Sequence, residues 1–502
     1  MPPGTSQSAT SESSATSSDP GADRRRWLML VVLITGQFMA LLDVMIVNVA
    51  MPAIRQHLHA SGAALQLVVA GYSIPYAMLL ITGARLGDLR GQRRMFLAGL
   101  LTFTLASLTC GLAPNTAVLV TARFVQGAGG ALMVPQILSV IQQQFEGAAR
   151  ARALSVWTAI LASGAVIGQV LGGVLVSANL FGTSWRPVFL VNVPVGIVLA
   201  VLVPRLVPRD QPAGGRGLDL RGLVTASGGV LLLVLPLVLG REEGWPAWTW
   251  ISLAASAVVL AAFVWIERGV AERGGHPLLN LDVLRAPGMA TGLVALLAAM
   301  ASFGGFLFSF TLHLQLALGY SPLHAGLTFA PAALAFGATG YWWRRLPSSV
   351  HHLLTPTGFL LAGLAYLAVA GDLHSGTSGG ALLPVLLLVM GVGMGIAFAP
   401  LATHALVNVP RAQAPDASGL LTTTVQLAQV IGVAIFGSLY LSLAAHPTLH
   451  ASASAVSTVD SSLTALALIG VVGGALLART VRAALLTQAQ AVPVEARAAS
   501  RS

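Results

Sequence analysis

The chain has 502 residues, of which 55% are hydrophobic and 9% charged, with a mean hydropathy of +0.80 and a formal net charge of +10. Soluble proteins carry about a quarter of their residues as charges, so a soluble globular fold is excluded. All 27 basic residues are arginine, and without lysine there is neither a G-x-x-x-x-G-K-[ST] phosphate loop nor a lysine Schiff base; uphill work must draw on an ion gradient or another subunit. The single cysteine, Cys110, admits no intramolecular disulfide and no cysteine metal cluster.

Residues 1–23 are rich in Ser, Thr and Ala without an apolar run, the composition of a disordered tail. Arg24, Arg25 and Arg26 then precede an apolar stretch too long for a signal peptide, so the first span is retained. Windows of about 19 residues predict spans near 27–50, 64–84, 95–113, 117–138, 153–178, 187–204, 222–240, 248–267, 289–312, 323–342, 352–370, 381–402, 418–444 and 462–479. The fold class is therefore all-α and integral to the membrane, with fourteen transmembrane helices. Pro194 and Pro331 interrupt two of them.

Arginine placement tests this count. With the N-terminus in the cytoplasm, 23 arginines fall in cytoplasmic segments, three (Arg55, Arg186, Arg241) in outer loops, and only Arg123 inside a span. That alternation predicts a multi-pass protein of the cell membrane with both termini cytoplasmic. No loop is long enough for a separate soluble domain, so function belongs to the bundle, and the positive charge reads as topology with no nucleic-acid partner.

Of the charged residues, only Asp43 and Arg123 fall well within spans, where an ionisable group is a functional candidate by default. Counting 1.5 Å per residue puts Asp43 about 10 Å and Arg123 about 9 Å below the same surface, within reach of each other. A carboxylate in a dry cavity beside a guanidinium feels two opposed influences, so small changes in hydration load or release a proton. The rival reading is a static salt bridge, with Arg123 snorkelling to headgroups. No second acid is read inside a span, which favours neutral, zwitterionic or singly charged substrates over dications.

Thr422, Gln426 and Gln429 form one helical stripe, and Gln37, Asn48, Tyr72, Tyr76 and Gln126 are further candidates for a substrate cavity; interhelical hydrogen bonding is the alternative use of such groups. His313 and His404, at span ends, read as solvated interfacial histidines. Gly164, Gly168, Gly172 and Gly173 make a small-residue stripe for close helix approach. Between the second and third spans, Asp88, Arg90, Gly91, Arg93 and Arg94 make a tight charged turn, for which orientation of the chain alone is the competing reading.

These segments resemble the motifs of the major facilitator superfamily, specifically its 14-span drug:proton antiporters. Leu42–Pro52 (LDVMIVNVAMP) resembles the family's first-span signature, Gly83–Arg94 motif A, Arg123–Ala131 (RFVQGAGGA) motif B, and Gly164–Gly173 motif C. Trp185–Gly196, Leu312–Leu327 and Asp416–Leu421 add further similarity. Gln169 departs from the pattern, standing where the family usually has proline, which removes a kinking ring and adds an amide.

The resemblance implies a six-helix half over 24–204, two inserted helices with loops over 205–285, a second half over 286–482 and a tail over 483–502. It makes Asp43 the proton-coupling acid, Arg123 its partner, the motif A residues a conformational latch, and the span-five glycines with Gln169 a packing and gating face. The expected function is proton-coupled efflux of a hydrophobic small molecule, an antibiotic, drug or secondary metabolite, by alternating access, in a monomer without cofactor or metal. An uptake symporter or facilitator on the same fold is the nearest alternative, followed by a non-transporting receptor. An enzyme would need clustered catalytic groups at one membrane face, and none is apparent.

Overall fold

The computed structural model describes residues 20–490, apart from 180–181, 210–218, 241–242, 276, 280, 375–379, 407, 410–412 and 445–447. Every regular element among the described residues is helical. This is the open-chain way to satisfy backbone N–H and C=O groups in hydrocarbon.

In chain order they are α1 (Pro20–Leu58), α2 (Gly62–Arg90), α3 (Gln92–Gly111), α4 (Thr116–Gln144), α5 (Gly147–Ala178), α6 (Pro187–Leu190), α7 (Asn192–Leu206), α8 (Leu220–Leu239) and α9 (Ala247–Glu272). There follow α10 (Met289–Leu312), α11 (Pro322–Thr328), α12 (Ala330–Trp342), α13 (His351–His374), α14 (Leu382–Leu406), α15 (Ala414–Leu443) and α16 (Leu449–Gln490). Starts are written locally. Ser61, Asn115, Asp219 and Ser321 each accept a hydrogen bond from the backbone N–H three residues on, which caps α2, α4, α8 and α11.

Among the described residues, twelve helical stretches are long and apolar enough to cross a bilayer. The 32-residue α5 and the α11–α12 pair stand at the other two expected positions. The two proline-interrupted spans behave differently from simple breaks. Pro194 lies within the first turn of α7 and Pro331 in the first turn of α12, where a missing N–H leaves no hydrogen bond unmade.

Two boundaries move. α1 begins at Pro20, so the last residues of the segment assigned as a disordered tail are helical, while 1–19 lie outside the described residues. The last helix begins at Leu449 and not at 462, and it runs on to Gln490, into the segment assigned as tail. Its first turns are Ser- and Thr-rich and therefore polar to a hydropathy window. Yet Thr458, Ser461 and Ser462 return their hydroxyls to carbonyls one turn back, at 2.8–2.9 Å, and need no water.

The helices form two packed groups, α1–α7 and α10–α16. In the first, α4 packs on α2 and α3 while α1 packs on α5; in the second, α13 packs on α14 and α16 while α10 packs on α15. α8 lies over the seam between the groups, where Val230 and Val234 join Ala70 and Ile74 of α2 with Val430 and Ala434 of α15. α9 is held to α8 by the Ser256 hydroxyl, which donates to Gly229 O at 2.7 Å. Its Trp250 and Trp265, 61% and 76% exposed, present an apolar outer face suited to lipid.

The turn from α2 into α3 depends on Gly91, at φ 95° and ψ 134°. That region is closed to side chains by Cβ sterics. Gly91→Ala is expected to cost about 1–3 kcal/mol and to lower the thermal unfolding midpoint of the detergent-purified protein.

Candidate functional site

α1 is held between two unlike faces. On one, Leu41, Met45 and Ile46 lie directly on the glycines of α5. A Cβ on Gly168 would stand 2.6 Å from Met45 Cβ, one on Gly172 would stand 2.9 Å from Ile46 Cγ1, and one on Gly164 would overlap Leu41. Gly173 faces the other group, where a Cβ would come 2.7 Å from Leu323 Cα of α11. The stripe is thus a packing face with little room for side chains. The Gln169 side chain lies outside the described residues.

On the opposite face of α1, Asp43 is fully buried and forms an ion pair with the equally buried Arg123 of α4. Three donors converge on the carboxylate. Arg123 Nη1 serves Oδ2, while Gln126 Nε2 at 2.8 Å and Asn192 Nδ2 at 3.0 Å both serve Oδ1. Gln126 also donates to Ser107 Oγ of α3 at 2.7 Å and accepts from Arg123 Nη1 at 2.7 Å. Arg123 Nε donates to Val68 O of α2 at 2.9 Å, and its guanidinium lies 4.8 Å from the Tyr72 ring centre and 5.7 Å from that of Phe189. Asp43 therefore ties α1 to α4 and α7, Gln126 adds α3, and Arg123 adds α2. Such a pair contributes little net stability while intact, but losing one partner strands a buried charge.

The candidate cavity residues divide. Asn48 and Gln429, with Ser73, line a cavity of about 20 Å³ on the seam between the groups. That is room for about one water, whereas drug-sized ligands need roughly 300–1,000 Å³. Gln126, Tyr72 and Tyr76 lie instead within the ion-pair side of the first group, with Tyr76 stacked on Tyr72 at 5.6 Å. Gln37 is buried with its Oε1 unpartnered; Thr422 and Gln426 are half-buried on α15.

Contacts between the two groups gather at the end of the bundle where α1 finishes. Gln66 of α2 donates to Ser438 Oγ of α15 at 3.2 Å, Gln315 to Val49 O at 3.1 Å, and Leu323 N to Ser177 Oγ at 3.1 Å. At the opposite end, Arg93 donates to Val207 O at 3.2 Å, which ties the α2–α3 turn to the end of α7. Arg85 donates to Pro277 O at 2.7 Å, in the segment leading into the second group. Arg90 and Arg94 are exposed, and the Asp88 side chain lies outside the described residues.

A family model described as Major Facilitator Superfamily matches residues 33–433. The chain belongs to the major facilitator superfamily. It is 38% identical over 436 residues to a probable actinorhodin transporter of Streptomyces coelicolor, which covers 85% of this chain and 75% of that protein. It is 37% identical over 437 residues to a cephamycin export protein of Amycolatopsis lactamdurans (81% and 83%), and 34% identical over 453 residues to a puromycin resistance protein of Streptomyces alboniger (88% and 87%). Among solved structures, a bacterial homologue of the lysosomal transporter Spinster in an inward-facing state superposes with a TM-score of 0.63 at 17% identity, covering 93% of this chain and 98% of that one. This protein is a multi-pass membrane transporter.

Several polar groups of this facilitator were not read as site residues. Asn192 falls within the Trp185–Gly196 segment of similarity without a signal of its own, and Ser107 has none, because a lone serine in an apolar run is usually bonded to its own helix. His313, expected to be solvated, is fully buried, with Nδ1 2.8 Å from Ser452 Oγ; His404 is also buried. Two further acids are buried: Glu267 near the end of α9, and Asp460, which lies two residues before the expected start of the last span.

The glycine face yields a direct test. Gly168→Leu forces a branched side chain into α1 and is expected to lower transport by roughly tenfold or more at equal expression. Gly228→Ala, where a Cβ meets nothing within 4 Å, is expected to leave transport unchanged. Initial rates in reconstituted vesicles give the comparison.

Proposed function

We propose that this facilitator is a proton-driven exporter of a hydrophobic small molecule of the antibiotic or drug class, acting as a monomer in the plasma membrane with both termini in the cytoplasm. The observation that carries the reading is the Asp43–Arg123–Gln126–Asn192 cluster, an intramembrane acid whose two oxygens face different partners. The relatives support the direction of transport, since they bear the names of export and resistance proteins.

The geometry suggests how a proton acts. Oδ1 already accepts from two amides, so a proton arriving at Asp43 goes to Oδ2, the oxygen held by Arg123. An O–H there opposes the guanidinium N–H groups, and the ion pair opens. α1 is then released from α4 while its other face still lies on the smooth glycine stripe of α5, along which it can shift. A Cβ-free interface permits that sliding at small steric cost. Deprotonation toward the cytoplasm restores the pair and resets the cycle.

In this orientation, the end at which the two groups are joined is the outer one. The halves must part for a drug-sized molecule to enter. The α2–α3 turn, through Arg85 and Arg93, is the latch on the cytoplasmic side, with Asp88, Arg90 and Arg94 as its remaining members. The protein needs no cofactor, metal or catalytic group for this work.

The test is flux of a panel of lipophilic dyes and antibiotics in vesicles of the purified protein under an imposed proton gradient. Uphill movement that follows the gradient is the expected result. Movement only down each compound's own gradient would make the protein a facilitator and overturn the coupling.

A further inference from the structure

We propose that Asp460 is a second proton-binding acid of the transport cycle, housed in the C-terminal half as Asp43 is in the N-terminal half. This rests on the reading of proton-driven export and extends it to the number of protons carried.

Asp460 is fully buried in α16, about 16 Å along the helix from Leu449 at 1.5 Å per residue, and neither carboxyl oxygen has a hydrogen-bond partner. Its helix packs on α13, α10 and α15 of the second group. Tyr366 of α13 lies within its electrostatic reach, and that ring packs on Phe306 of α10 at 5.5 Å.

Titratable or charged groups on the surrounding elements are His351, His352, Tyr366, Asp372 and His374 on α13, His404 on α14, Tyr440 on α15 and His313 on the π turn after α10, with His450, Arg479 and Arg482 on α16 itself. His313 and Tyr440 both bond Ser452 of α16, at 2.8 and 2.7 Å. Among the described residues, no arginine is paired with Asp460.

The contrast with Asp43 sets the chemistry. Asp43 has an arginine and two amides as donors; among the described residues Asp460 has none. An isolated carboxylate in dry protein costs several kcal/mol, so this site houses the neutral acid in the present conformation. A buried acid without partners gains nothing for stability over an apolar residue of its size. Its use lies in a state where α16 and α13 part enough to admit water and the proton leaves. The acid is then a carrier with one proton loaded, while Asp43 in the same conformation is empty.

The experiment measures the proton-to-substrate ratio in vesicles with the membrane potential clamped to zero, comparing the unmodified protein with Asp460→Asn. Each coupled proton sustains about tenfold accumulation per unit of pH difference. Two coupled protons give about a hundredfold in the unmodified protein, and Asp460→Asn is expected to retain about tenfold, with Asp460→Glu restoring the loss. An unchanged ratio in Asp460→Asn, or a ratio of one in the unmodified protein, overturns the proposal and leaves proton-driven export standing. Absence of any gradient-driven movement in the unmodified protein overturns both.

A readout independent of transport keeps the proposal exposed if the variants fold poorly. The infrared band of a protonated carboxyl is expected in the unmodified protein at neutral pH and should be missing from Asp460→Asn. A band that survives the substitution unaltered counts against the assignment.

Discussion

Asp43→Asn is expected to abolish uphill export while leaving substrate binding partly intact. Asparagine keeps an acceptor for Gln126 and Asn192, so the local packing of α1 against α4 and α7 is largely conserved. It has no proton to exchange, and the opening and closing of the ion pair no longer follows the gradient. Because every coupled proton moves only with that opening, accumulation under a pH difference of one unit, about tenfold per coupled proton, should fall to the substrate's own distribution. Counterflow of labelled against unlabelled substrate should persist at a reduced rate, because exchange requires the halves to rock but needs no net proton movement. Gradient-driven accumulation by the variant at the level of the unmodified protein would remove Asp43 from the coupling mechanism.

The second large effect is on stability. Arg123→Met leaves Asp43 buried with two amides and no counter-charge, and it frees the Val68 carbonyl and the stacked Tyr72 ring. Breaking one side of a buried pair costs about 3–5 kcal/mol, so unfolding in detergent should occur at a clearly lower temperature or denaturant concentration. Arg123→Lys should recover only part of this. One ammonium on a flexible stem cannot serve Asp43, Gln126 and Val68 together as the planar guanidinium does. In the double variant Asp43→Asn/Arg123→Met no buried charge remains. Most of the lost stability should return while transport stays absent, giving a coupling energy of the order of the single-variant loss. Losses that simply add would show that the two residues do not act as a unit.

The intramembrane pair was legible because hydropathy has high contrast here: two charges in an apolar background stand out, and equal depth along antiparallel helices follows from helix rise alone. The glycine stripe was legible as spacing, although spacing does not say which helix lies on it. Asp460 was lost for the complementary reason. Ser and Thr around it read as loop, yet their hydroxyls bond back to the helix and travel into the bundle with it. Hydropathy scores a residue's preference for water and cannot register that its hydrogen bonds are already made. The same blindness hid Ser107 and made His313 look solvated.

The sequence by itself determined that this is a membrane bundle, where most of its helices lie, and that one acid and one arginine share a depth within it. Those properties depend on transfer free energies and helix geometry, which act residue by residue along the chain. Only the tertiary structure decided that Asp43 turns toward Gln126 and Asn192, that the glycines of α5 lie on α1, that the two groups meet at one end of the bundle, and that Asp460 has no hydrogen-bond donor among the described residues. Partners of this kind come from helices as much as 149 residues apart in the chain, and no local rule specifies which faces of those helices will meet.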